Sequence, residues 1–178
     1  DASFKVPTIK DVSVDQVAID VKGNLTGLGL SLGEHTQVSQ GNLALNVDNN
    51  AMQATGAVQF YDSKVSLDWK EDFKTNGPVT SKIAVKGPLD KAARAALGLD
   101  LGRYVSGPII EDADLQGRRG KVQSVTASAD LTPAVVSIDL INYNKPAGAP
   151  ATVQVAAKFA PDGAISCQEL KLSGSGLS

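Results

Sequence analysis

The sequence predicts a mainly β protein of about a dozen antiparallel strands with one short helix inserted near residues 90–97. Three observations predict it. Apolar and polar residues alternate with a period of two through most of the chain, as in Val125, Ala127, Ala129 and Leu131 against Thr126, Ser128 and Asp130. Turn clusters such as Asp48-Asn-Asn50 and Pro161-Asp-Gly163 interrupt that rhythm at short intervals. The rhythm gives way to a helical one across Gly87–Gly107, where Asp90 offers an N-cap and Gly98 a left-handed C-cap to an Ala-rich run holding Lys91 and Arg94.

The elements follow in order. Phe4–Ile9 reads as an edge strand, because Pro7 has no N–H to give a ladder. Val17, Ile19 and Val21 alternate with Ala18 and Asp20, and Leu25–Leu32 alternates with glycines at 27 and 29 that predict a bulge. Leu43, Leu45 and Val47 lead to the turn at Asp48–Asn50. Met52, Ala54, Val58 and Phe60 follow, with Gly56 as a kink. Val65, Leu67 and Trp69 face one way and Ser66, Asp68 and Lys70 the other, and Lys82–Lys86 is the last strand before the helix. The helix is too short to stand alone in water, so Leu89, Ala93, Ala96 and Leu97 need the sheet to pack on.

Beyond it, Pro108 restarts extended chain through Ile109, Ile110 and Ala113–Leu115. Strands follow at Val125–Leu131 and at Val136, Ile138 and Leu140. Asn144–Pro150 is a loop by composition, Val153, Val155, Ala157 and Phe159 form another strand, and Ile165, Leu170 and Leu172 the last. Every strand has one aliphatic and one polar face. In a sandwich or barrel the aliphatic faces fill each other; in a single open sheet they line a groove. The pattern is the same in both cases.

At 178 residues, 42% hydrophobic and 20% charged, the chain is long enough for a sizeable core and is neither a disordered tail nor a membrane bundle. Aromatics are 4%, which argues against the stacking platforms of sugar and single-strand nucleic-acid sites. A net charge of −2 without a basic stripe makes nucleic acid an unexpected partner. Cys167 is the single cysteine, so no internal disulfide forms, and its strand-like context predicts a small buried hydrophobe. No apolar run approaches the ~20 residues that span a bilayer. Without an initiator Met or a closing element, both ends read as cuts in a longer chain that carries any targeting signal elsewhere.

Chemistry-bearing residues do not converge in the sequence. His35, the one histidine, lies in the polar loop Gly33–Thr36 beside no nucleophile motif. Glu111-Asp-Ala-Asp114 lacks the ligand spacing of a Ca²⁺ loop and reads as a solvated strand edge. Gly27-Leu-Gly29 and Gly174-Ser-Gly176 lack a phosphate-binding pattern and a following helix, and Arg118-Arg-Gly-Lys121 reads as a hairpin tip. Asn24-Leu-Thr26 matches a glycosylation acceptor, which has meaning only in a eukaryotic secretory setting. The expectation is a non-catalytic protein with no cofactor and no metal.

Several segments together resemble the AsmA-like superfamily, specifically the DUF3971-type region of the YhdP/TamB/AsmA group of bacterial envelope proteins. They are Gly41–Asp48, Gly56, Val65–Phe73, Lys86–Asp90 with its helix and Leu97-Gly-Leu99, Gly107-Pro108, Ala129–Ala134, Asn144–Gly148 and Leu172–Leu177, in that order. The resemblance implies that residues 1–178 are one β-rich fragment of a larger periplasmic protein, interrupted by the helical stretch 87–107 and anchored in the inner membrane by a segment outside it. It implies a curved, groove-like sheet that binds or conducts phospholipid acyl chains between inner and outer membranes, with neighbouring β-repeats and other envelope proteins as partners. The groove wall would then be Val17, Ile19, Val21, Leu43, Leu45, Val47, Val65, Leu67, Trp69, Val153 and Val155. The competing expectation is a structural or interaction module with a closed core and no lipid groove.

Overall fold

The computed structural model describes residues 1–5, 17–31, 37–96, 102–119 and 121–174. Ten strands form one antiparallel sheet: β1 (Ala2–Lys5), β2 (Ala18–Ser31), β3 (Gln37–Asp48), β4 (Ala51–Phe60), β5 (Ser63–Asp72), β6 (Ser81–Leu89), β8 (Ile109–Arg118), β9 (Lys121–Asp130), β12 (Ala151–Phe159) and β13 (Ile165–Gly174). They lie side by side in that order, and β1 and β13 are not paired with each other, so the sheet is not closed. A second sheet joins β7 (Val105–Ser106), β10 (Val135–Ile138) and β11 (Tyr143–Lys145), with β10 central. The mainly β, antiparallel architecture, with a single short helix among the described residues, agrees with the sequence.

The hairpins come from local chemistry. At the β3–β4 turn the Asp48 carboxylate accepts the N–H groups of Asn50 at 2.6 Å and Ala51 at 2.9 Å, and those bonds hold its pKa below the ordinary value. The Arg118–Lys121 tip joins β8 to β9, with Arg119 at φ 51°. The glycine-rich part of β2 is bulged, with register shifts on either side of Leu28. Gly56 is fixed by contact: a Cβ there would lie 2.0 Å from the Asn42 carbonyl oxygen.

The helix α1 (Lys91–Ala96) starts as expected, with the Ala93 N–H bonded to Asp90 Oδ1 at 2.7 Å. Its Ala93 is fully buried, so α1 packs on the core. Arg94, 2% exposed, donates from Nη1 to the carbonyls of Leu89 at 2.9 Å and Gly107 at 3.0 Å, tying the helix to the end of β6 and the start of β8. Leu97, Gly98, His35 and Pro7 lie outside the described residues.

Several boundaries differ from expectation. β6 runs through Gly87, Pro88 and Leu89 instead of stopping at Lys86, because those residues pair with Glu111, Ile110 and Ile109 of β8. Pro88 is tolerated there since the β5 ladder ends at the Ser66–Lys86 pair. Asn144 and Lys145, expected in a loop, join Tyr143 as β11 and pair with β10. The strand expected to reach Leu140 stops at Ile138 and turns through one 3-10 turn at Asp139–Ile141, which leaves Leu140 94% exposed. Cys167 is exposed on β13, not buried, because no strand among the described residues pairs with the outer side of β13.

Candidate functional site

The antiparallel register sorts the large sheet into two faces of opposite character. One row across it reads Leu25, Leu43, Gly56, Leu67, Val85, Ala113, Ala127, Val155, Leu170. The next parallel row reads Gly23, Leu45, Ala54, Trp69, Ile83, Leu115, Val125, Ala157, Cys167. On the opposite face the intervening rows carry Lys, Asp, Asn, Gln, Ser and Thr, including a Lys86–Asp112 ion pair at 2.9 Å and a Lys70–Asp68 pair at 3.8 Å. Period-two alternation in each strand has thus become one largely apolar face.

Among the described residues that face is filled at one end and not at the other. At the filled end Leu43, Ala54, Val58, Phe60, Val65, Leu89, Ile109, Ala129, Leu131 and Ala151 form a buried cluster with Ala93 of α1, Val105 of β7, Val136 of β10 and Tyr143 of β11. The helix and the small sheet therefore contribute to the packed end. Towards the other end Val21, Val47, Met52, Trp69, Ile83, Leu115 and Val125 stay half-buried and outside the cluster. At the margins Leu25 is 39% exposed and Leu170 71%.

The expected wall residues divide accordingly. Ile19, Val21, Leu43, Leu45, Val47, Val65, Leu67, Trp69, Val153 and Val155 share the apolar face, while Val17 directly precedes β2. Leu43 and Val65 are buried at 5% and 4%, and Leu45, Leu67 and Val153 pack against the cluster they belong to. Val17, Ile19, Val21, Val47, Trp69 and Val155 are half-buried and outside it. The aliphatic stripe is continuous, but a good part of it is ordinary core.

Polar groups on this face were not foreseen. Glu111, expected on a solvated edge with Asp112 and Asp114, pairs with Gly87 and Ala129 and lies on the apolar side. Its Oε2 is buried without a hydrogen-bond partner, and burial raises its pKa above the ordinary value. The signal was present in the strand alternation, since 109, 111, 113 and 115 share a face. Glu71 is 8% exposed at the other end of the face. Burial pushes its pKa up, but bonds from the Ser81 and Thr80 hydroxyls, the latter at 2.6 Å, outweigh it and the net shift is downward. The Trp69 indole adds to that stabilisation although its N–H meets no acceptor at hydrogen-bond geometry.

A group with a lowered folded pKa stabilises above its unfolded value and loses that contribution as pH falls through the folded one. Wild-type stability should therefore decline with acid below the ordinary glutamate value of 4.5, in part through Glu71. Glu71→Gln should show a shallower decline over the same range in urea midpoints measured against pH; an identical slope would remove Glu71 from the account.

Among the described residues no three His, Cys, Asp or Glu side chains gather as a metal site, and no helix is long and apolar enough to cross a membrane. A depression of about 520 Å³ between β2, β3 and β4 is lined mainly by polar-face residues such as Lys22, Asn46 and Gln53. A second, of about 400 Å³, lies beside α1 and includes Asp90, Arg94 and Ser106. The candidate site is thus a broad apolar face, not a pocket. Fold and site define an open, amphipathic antiparallel sheet. No family model, curated protein or solved structure matches the chain.

Proposed function

We propose that the chain is a non-catalytic segment that binds or conducts phospholipid acyl chains along its apolar face. The observation that carries this reading is the row of half-buried aliphatic side chains left outside the packed cluster at one end of an unclosed sheet. Apolar area in contact with water costs about 25 cal/mol per Å², so a wet face of this size favours a hydrocarbon cover. Acyl chains suit it because the rows of Leu, Val, Ile and Ala offer few directional contacts and let a chain slide. The AsmA-like resemblance supplies the setting: a periplasmic bridge, anchored in the inner membrane outside this segment, that carries lipid towards the outer membrane. The packed cluster favours a second reading, a structural or interaction module, for that end of the sheet.

Lipid extraction and native mass spectrometry on the purified chain separate the two. Bound phospholipid is expected, and Leu115→Asp should deplete it at a stability cost of about 1–2 kcal/mol. Leu115 is the better probe than Leu67, because Leu67 packs against the core. A lipid-free chain that leaves added phospholipid unbound would favour the structural module.

A further inference from the structure

The two outer strands of the large sheet differ. β1 spans four of the described residues, a length that limits pairing with another strand. β13 spans ten, is exposed along most of its length, and bears Ile165 and Leu170 at 69% and 71% exposure. No described residue pairs with its outer side. Ladder alternation shows which of its backbone groups are free. The Leu131 N–H donates to the Ala151 carbonyl and the Ala160 N–H to the Ala164 carbonyl, each at 2.8 Å. Odd-numbered β12 residues from 151 to 155 therefore bond towards β9, and Thr152, Gln154 and Ala156 bond towards Ser173, Lys171 and Glu169 of β13. The backbone N–H and C=O of Leu170 and Leu172 point to the open edge.

From this edge we infer that β13 pairs antiparallel with β13 of a second copy, about a two-fold axis passing through Leu170. Charge selects the partner and the register. With Leu170 opposite Leu170, Glu169 of each copy faces Lys171 of the other, twice by symmetry. A one-residue shift of the axis places Lys171 against Lys171 or Glu169 against Glu169. Both side chains are exposed and neither forms an ion pair among the described residues, so each is available. The axis stands normal to the sheet, so the two apolar faces lie on the same side and run on as one surface. Leu170 meets its counterpart there and loses its exposure.

Sedimentation velocity on the lipid-free 178-residue chain over a dilution series tests this independently of lipid binding. The expected mass is twice 18.4 kDa, falling to 18.4 kDa on dilution. Glu169→Lys turns both cross-pairs into like charges and should weaken the dimer about tenfold or more. The double variant Glu169→Lys, Lys171→Glu re-creates opposite pairs and should restore it. Far-ultraviolet circular dichroism confirms that these surface variants fold. A wild-type chain that stays monomeric, a single variant that dimerises as well as wild type, or a double variant as weak as the single would each overturn the pairing.

Discussion

Replacing Lys145 with methionine is expected to cost about 3 kcal/mol or more of folding stability, read as a lower urea midpoint with an unchanged slope. Lys145 is 2% exposed, and no ion pair accounts for it among the described residues. Its ammonium instead donates to four carbonyls: Ala134 at 2.7 Å, Ala149 at 2.9 Å, Pro146 at 3.0 Å and Thr132 at 3.4 Å. These belong to the turn after β9 and the loop after β11, so one side chain stitches two connections over the packed end. Methionine keeps most of the stem but no donor; the Thr132 and Pro146 carbonyls retain the N–H groups of Gly148 and Ala149, while those of Ala134 and Ala149 lose the ammonium that serves them. Leu131, Ala134 and Tyr143, buried around the same turn and strand, should loosen with them. A change below about 0.5 kcal/mol would mean that water already satisfies the loop.

Gly56→Val should be comparably damaging, by about 3 kcal/mol or more. Gly56 lies opposite Leu43 on one side and Leu67 on the other, at φ 157°. A Cβ would approach the Asn42 carbonyl oxygen to 2.0 Å and the Leu43 Cα to 3.0 Å. Both are backbone atoms, so relief requires β3 to move away from β4 beside its bulge between Ser39 and Asn42. Gly23→Ala is the control: nothing lies within 4 Å of a Cβ there. It should stay within about 0.5 kcal/mol of wild type, and equal losses in the two variants would show that space at Gly56 is not the cause.

Sequence pattern gave access to some of this and not the rest, for physical reasons. Strand alternation is local and strong, so the apolar face, the hairpins at Asp48–Asn50 and Pro161–Gly163, and the Asp90 cap could be read directly. What closes the apolar face is not plain in the pattern. Val105 and Val136 come from short segments that pair with each other across about 30 residues, and Tyr143 from a three-residue strand paired with Ile138, too short for a period to reveal. Asn144 and Lys145 look like loop residues until the burial of Lys145 among carbonyls is known. The Cys167 expectation failed because alternation assigns a residue to a face but not to the middle or the edge of a sheet. Glu111 is the converse: its neighbours Asp112 and Asp114 suggested solvent, while its parity placed it among Ala129 and Gly87.

The same distinction shapes the functional reading. A stripe of Leu and Val is core wherever a second layer reaches it and wall wherever none does, and only the three-dimensional arrangement separates Leu43 from Val47. The small sheet and α1 contribute to the cover at one end. The remainder, with Trp69 in its midst, is the part that the proposed function gives to lipid.

Trp69 is the single tryptophan and reports on that surface without labelling. Its fluorescence should fall when phospholipid brominated along the acyl chain is added, and should keep its intensity with the unbrominated lipid. Equal intensity with both lipids, at concentrations where the lipid is bound, would place the hydrocarbon away from the apolar face and contradict the proposed function.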